Sequence, residues 1–428
     1  MRGWKTLPVL LVLLFTASTS FAAGFRLPEA GAKAMGMGFA FTAQADDPSA
    51  IYFNPAGLTQ LKGQNVMVGL TYVRENGGEF TGTTPLTFNG ETFDTKSETQ
   101  KSLNFFIPNA YYTRTTNSGN LAYGVGIFSP FGLGQEYNNK DTSIFRSQTT
   151  KIDLQTVVVN PTIAFKINEF LSVGAGIDYM YGKVKYEKTP YVPGAYGGPG
   201  FFKAALDGNG DAWGYNFGLL LKPSENLKVG FNYRSPFHLQ FKDGDFVTSD
   251  NTSAGFTGIF PMGTTKASGK LELPATAALG VAYTLDRLTL SADADWTFWS
   301  SYKELKITNA SVSSLSSTQR KDWKDVCALR LGAEYRVTDP LALRAGFVYD
   351  PTPVPADTMG PELPDATRLN YMAGAGYKVG PWTIDGALMY IQKFDRTVNN
   401  QNNTYGTGFN GTWTGNAWLA GLDVGYSF

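Results

Sequence analysis

Residues 23–62 read AGFRLPEAGAKAMGMGFAFTAQADDPSAIYFNPAGLTQLK, and the rest of the chain takes its meaning from this stretch. It is rich in small residues, carries few strong strand formers, and closes on a turn signal, Asn54-Pro55-Ala56-Gly57. A short apolar leader precedes it and a long series of alternating segments follows it. An irregular block ahead of a β array is either a disordered leader or a plug packed inside the array. The choice separates an open pore from a gated one.

The leader has a basic start, Met1-Arg2-Gly3-Trp4-Lys5, an apolar run from Leu7 to Phe15, and small residues at Ser20 and Ala22. That is the layout of a secretory signal peptide, and the run is too short to span a bilayer as a helix. The expected division is a signal peptide over 1–22, cut after Ala22, an N-terminal hatch over 23–62 and a β array over 63–428.

Composition favours a membrane array. Charged residues make up 17% of the chain, against about 25% in soluble domains. Glycine occurs 48 times and aromatics reach 14%, as suits close strand packing and interfacial girdles. No later window approaches the length of a transmembrane helix. The net charge of zero gives no reason to expect nucleic acid. Cys327 is the single cysteine and His238 the single histidine. An intrachain disulfide and a thiol cluster are thereby excluded, and a His-based metal site or a Ser-His triad has little to stand on. No cofactor, metal or enzymatic activity is expected.

Period-two alternation then recurs along the chain. Leu329, Leu331, Ala333 and Tyr335 face away from Arg330, Gly332, Glu334 and Arg336, and Leu288 to Phe298 alternates in the same way. The apolar faces run longer than in soluble strands and end in Tyr, Trp or Phe. Such segments fall at 63–75, 101–115, 120–134, 151–167, 171–188, 210–223, 226–243, 266–285, 288–308, 323–337, 341–352, 365–380, 381–398 and 412–428. The connections alternate between short and long, with long ones near 76–100, 189–209, 244–265 and 399–411. An all-β membrane protein is expected, a 14-stranded antiparallel transmembrane β-barrel. Leu422, Val424, Tyr426 and Phe428 form one face of the last segment and end on an aromatic carboxy-terminus. That looks like the signal by which barrel-assembly machinery reads outer-membrane proteins.

Several landmarks occur in order: Ala23 to Glu29, Gly36 to Asp47, Asn54-Pro55-Ala56, Ser129-Pro130-Phe131-Gly132-Leu133, Lys185 to Lys188, Leu271 to Pro274, Trp323-Lys324-Asp325 and Asp350 to Pro355. With the terminal Tyr-Ser-Phe, they resemble the FadL-type outer-membrane transporters of long-chain fatty acids and other hydrophobic compounds. The resemblance covers the whole mature chain. It implies a lumen closed by the hatch, a kink in strand three, and lateral release of substrate into the membrane of a Gram-negative bacterium. Pro130 and Gly132 supply a physical reason for that kink, because proline lacks a ladder N–H and glycine weakens a strand. By resemblance, Asn54, Pro55 and Ala56 sit against the kink and complete a gate.

The family's pocket pairs two cations with a carboxylate. One falls on Lys188; the other falls near Gln319, with Arg320 or Lys321 as substitutes in this chain. Relatives that import monoaromatic hydrocarbons need no such pair, so that cargo is the alternative to fatty acids. Two apolar outer loops, one with Phe201 and Phe202 and the other with Phe256 and Phe260, are expected to form a capture groove. Lumen-facing Asp293, Asp295, Arg330, Glu334, Arg344, Asp350 and Asp423 are expected to hold the hatch. The partners implied are a hydrophobic small molecule, membrane lipids and assembly machinery, with a monomer as the family precedent. Readings from other classes are an outer-membrane lipase built on His238 and a general porin with an open lumen.

Overall fold

The computed structural model describes residues 24–88, 91–192, 200–249, 262–400 and 408–428. The signal peptide expected over 1–22, and Phe256 and Phe260, lie outside the described residues. Fourteen antiparallel strands close into a barrel. They are β1 Gln64–Glu75, β2 Leu103–Thr115, β3 Leu121–Phe128 resuming as Gly132–Glu136, β4 Lys151–Lys166 and β5 Leu171–Lys188. Next come β6 Lys203–Leu221, β7 Leu227–Arg234 with Phe237–Ser249, β8 Gly263–Leu273 with Thr276–Leu285, and β9 Leu288–Thr297 with Glu304–Asn309. The last five are β10 Ser317–Arg320 with Val326–Arg336, β11 Leu341–Asp350, β12 Arg368–Val379, β13 Trp382–Lys393 and β14 Asn416–Ser427. Each strand pairs with its sequence neighbour, and β14 returns to β1 with Leu70 opposite Leu422. Closure gives every strand a partner on each side, as a hydrocarbon surrounding demands.

The two faces divide as the alternation requires. Leu329 and Leu331 are each 54% exposed on the outer surface, whereas the intervening Arg330 is 7% exposed in the lumen. Aromatic pairs mark both rims of the apolar band: Trp382 against Tyr426 at 4.7 Å near the chain's short turns, and Tyr390 against Trp418 at 4.6 Å toward the long loops.

Prolines interrupt strands where the sequence places them, at Pro130 in β3, Pro236 in β7 and Pro274 in β8. The outer connections depart from expectation. Residues 79–88, 91–99, 396–399 and 410–414 form a separate four-stranded sheet, where the sequence suggests a loop over 76–100 and barrel strands reaching to 398 and starting at 412. These segments are rich in Thr and charged residues, so they lack the apolar face that betrays a lipid-facing strand. Strands β6 and β7 also run further outward than 210 and 243, to Lys203 and Ser249.

Residues 24–62 lie inside the barrel. Two short helices, α1 Ala32–Gly36 and α2 Ala50–Phe53, are followed by a 3-10 turn over Pro55–Gln60. Gly38 and Phe39 then adopt positive φ of 62° and 57° and reverse the chain after α1. Phe39, Phe41, Ile51 and Leu58 are buried with the inner wall around them.

Candidate functional site

The lumenal segment is held by polar contacts from around the wall. Arg26 donates to both oxygens of Asp295 on β9, at 2.7 and 2.9 Å, and Asp295 also pairs with Arg330 on β10 at 2.6 Å. Asp293 accepts the Thr42 amide at 2.9 Å, and Asp423 on β14 accepts the amide of Ala32 at the head of α1. Lys33 pairs with Asp46 at 2.8 Å within the segment and approaches Glu334 on β10 at 3.8 Å. Glu334 and Asp385 in turn flank Arg344 at 2.7 and 2.6 Å, while Asp350 serves Arg368 at 3.2 Å. Buried charges need such partners, since an unpaired one is costly.

Asn54 is the best-connected single residue of the segment. Its Nδ2 donates to the carbonyls of Thr42 and Leu219 at 2.8 and 2.9 Å, and its Oδ1 accepts from the Ala56 amide at 3.1 Å. The turn lies flush on Gly174 of β5 and Gly218 of β6, where a Cβ would collide with Asn54, Pro55 and Ala56. The expectation that Asn54-Pro55-Ala56 bonds beside the strand-three kink is therefore corrected. This flat docking on glycine aims the triplet's polar groups at β6.

The break in β3 is served from elsewhere. Between the pairs Phe128–Val158 and Gly132–Gln155, β3 uses one residue more than β4. The β2–β3 ladder runs from Thr115–Ala122 to Ala110–Ile127 and then stops, among the described residues. It is rejoined where the Lys101 amide donates to the Glu136 carbonyl at 2.7 Å. Among the described residues the wall thus lacks ladder bonds between β3 and the outer part of β2, whose other side stays paired with β1. At the break, the Pro130 carbonyl accepts from the Leu27 amide at 2.8 Å and the Gly132 amide donates to the Phe25 carbonyl at 2.9 Å. Thr156 of β4 donates its hydroxyl to the Phe131 carbonyl at 2.6 Å. Phe25 to Leu27 consequently act as a strip of ladder lent to β3 by the N-terminal segment, with Arg26 directly opposite Phe131.

Phe25 belongs to a second structure as well. Its ring meets Trp299 at 4.7 Å, Trp323 at 5.5 Å and Tyr302 at 5.8 Å, and it lines an apolar cavity. Leu133, Leu154, Tyr186, Leu206 and Phe241 form other parts of that wall. A small polar space, lined by Arg26, Arg234, Arg330 and Asp295, adjoins Pro130 and Phe131.

The nominated binding residues fall in different places. Lys188 stands two residues beyond Tyr186 on the same face of β5, half-buried and with no hydrogen-bond or ion-pair partner among the described residues. It does not line the cavity. Lys321 is buried and already ion-paired with Glu362. Arg320 points outward, exposed, and pairs with Asp322, so alternation along β10 removes it from the lumen. Phe202 is buried, and Phe201 lies under the Arg146 guanidinium at 4.2 Å. Neither lines the cavity, and Arg146, over Phe201, belongs to the loop after β3. His238 sits on the outer face beside Glu272. Sequence reasoning missed Phe25, Thr156 and Glu362; only Phe25, inside a quoted landmark, carried any signal.

A closed barrel with an apolar exterior, a polar lumen and its own N-terminal segment inside is an integral outer-membrane protein of the filled-lumen class. The chain belongs to the family described as outer membrane protein transport protein (OMPP1/FadL/TodX), which it matches over residues 13–428. It resides in the bacterial outer membrane. It is 27% identical over 456 residues to the long-chain fatty acid transport protein of Escherichia coli O6:H1, covering 99% of this chain and 98% of that one. A crystal structure of a Pseudomonas aeruginosa FadL homologue superposes with a TM-score of 0.83 at 21% identity, over 95% of this chain and 100% of that one. The Ralstonia pickettii toluene transporter TbuX gives 0.67 at 18% identity, over 93% and 98%.

Proposed function

We propose that this protein is a gated passive transporter that admits hydrophobic molecules, long-chain fatty acids foremost, and releases them sideways through the β3 break. One observation carries the reading: Phe25 lines the apolar cavity and its carbonyl also bridges the break. A molecule filling the cavity presses on the ring whose backbone closes the wall. In this reading residues 23–62 are the hatch and 63–428 the barrel. The outer loops bearing Phe201, Phe202, Phe256 and Phe260 offer an apolar first surface, and Lys188 offers a cation near the cavity. Asn54, Pro55 and Ala56 anchor the hatch while Phe25 to Leu27 move at Pro130 and Gly132. The E. coli relative's name supports the fatty-acid cargo.

A second reading, uptake of monoaromatic hydrocarbons, is favoured by the cavity lining. Among the described residues Lys270 is its one cation, and its ammonium is committed to Glu272 outside. The toluene transporter neighbours share the fold.

The double substitution Pro130→Val, Gly132→Val tests the route, because β-branched residues restore strand geometry at the break. Uptake of labelled oleate by whole cells is expected to fall several-fold at unchanged barrel abundance. Uptake at the wild-type rate would reject lateral exit.

A further inference from the structure

Loop 351–367, between β11 and β12, turns back into the barrel mouth, with Met359, Leu363 and Asp365 buried. Its turn Gly360-Pro361-Glu362-Leu363-Pro364-Asp365 touches three parts of the lumen. The Pro361 carbonyl accepts from Gln135 Nε2 at 2.7 Å and from the Tyr137 hydroxyl at 2.8 Å, at the outer end of β3. The Glu362 carboxylate pairs with Lys321, both side chains being buried. Asp365 Oδ2 accepts the amide of Gly24, the residue before Phe25, at 3.3 Å. Glu362 is also an electrostatic neighbour of Tyr186 and Tyr302, which line the cavity.

We propose that Glu362 is a built-in competitor for the carboxylate of an amphipathic substrate at Lys321, and that its displacement releases the hatch through Asp365. The inference rests on the cavity accepting the apolar chain of that substrate. A buried ammonium must keep a counter-ion. An entering alkyl carboxylate supplies one and buries its chain in the adjoining cavity, so the site's charge is conserved in the exchange. Glu362, on a turn at the mouth, regains water when it leaves. Its movement carries Asp365 away from Gly24, and Phe25 is then free to follow. The pair thereby distinguishes acids from neutral hydrophobes, which enter the cavity without disturbing it.

The test is isothermal titration of the purified full chain in detergent with laurate and with methyl laurate. Removing the competitor in Glu362→Gln is expected to tighten laurate binding roughly tenfold, since an occupied site taxes apparent affinity. Methyl laurate affinity stays at the wild-type value. In Glu362→Gln, Lys321→Met the gain disappears. Amide exchange at Gly24 to Leu27 is faster in the single variant. Laurate affinity unchanged or weakened in Glu362→Gln, with methyl laurate bound normally, overturns the proposal, as does a gain that survives Lys321→Met. Wild-type protein that binds neither ligand overturns the cavity reading on which the proposal stands. Glu362→Asp, which keeps the charge and shortens its reach, gives an intermediate affinity and serves if the glutamine variant does not assemble.

Discussion

Asn54 joins three backbone groups with one side chain, linking the hatch to itself at Thr42 and to the wall at Leu219. Asn54→Ala leaves two buried carbonyls short of a donor, at about 1–3 kcal/mol each at most. Amide exchange over 42–60 is expected to accelerate while the barrel strands keep their protection; unchanged exchange would remove Asn54 as an anchor. Glu29, on the hatch and not on a strand, faces Arg368, Arg330 and Asp350, and its Oε2 has no hydrogen-bond partner among the described residues. Burial pushes its carboxyl up from 4.5 to about 7, with Arg368 and Arg330 only partly opposing that. The docked segment thus keeps a proton that a released segment gives up, so docking is strongest below pH 4.5 and weakens as the pH rises through about 7. Hatch protection measured between those limits should fall with pH, and Glu29→Gln should flatten the profile. A profile equally steep in that variant would place the titration elsewhere. Single residues were legible in the sequence where local chemistry dictates them, as with Asn54 before proline. The ion pair of Lys321 with Glu362 was not, because nothing local joins residues 41 positions apart.

At the scale of elements, β3 shows how a proline is accommodated in a closed barrel. Pro130 supplies no N–H, and its neighbours take their bonds from Thr156 and from the hatch. The proline and the glycine announced a break in the sequence, and the valine substitutions proposed above test its use. The element that mends the break was misplaced, since Asn54-Pro55-Ala56 was assigned there and Phe25 to Leu27 do the bonding. Resemblance transmits the presence of a contact better than its partners. The membrane strands were legible because lipid imposes apolar alternation on each of them. The outer sheet over 79–88, 91–99, 396–399 and 410–414 was not, since it buries only scattered side chains such as Phe80, Val398 and Trp413 and shows no lipid-facing stripe.

On the scale of the whole molecule, cavity, hatch, break and mouth loop meet around two consecutive residues, Gly24 and Phe25. In the proposed route, substrate recognition and wall opening are one movement, with no energy input beyond the substrate's own binding. A direct test is to fasten that junction. Arg26 and Phe131 stand opposite each other across the break, within the reach of a disulfide between paired strands. In a Cys327→Ser background, Arg26→Cys with Phe131→Cys gives a lock that opens with reductant. The measurement is uptake of labelled oleate by cells carrying the double variant, oxidised and then reduced. Uptake is expected in the reduced state, is lost on oxidation, and recovers with reductant. Equal uptake in the oxidised and reduced states would contradict the proposed route.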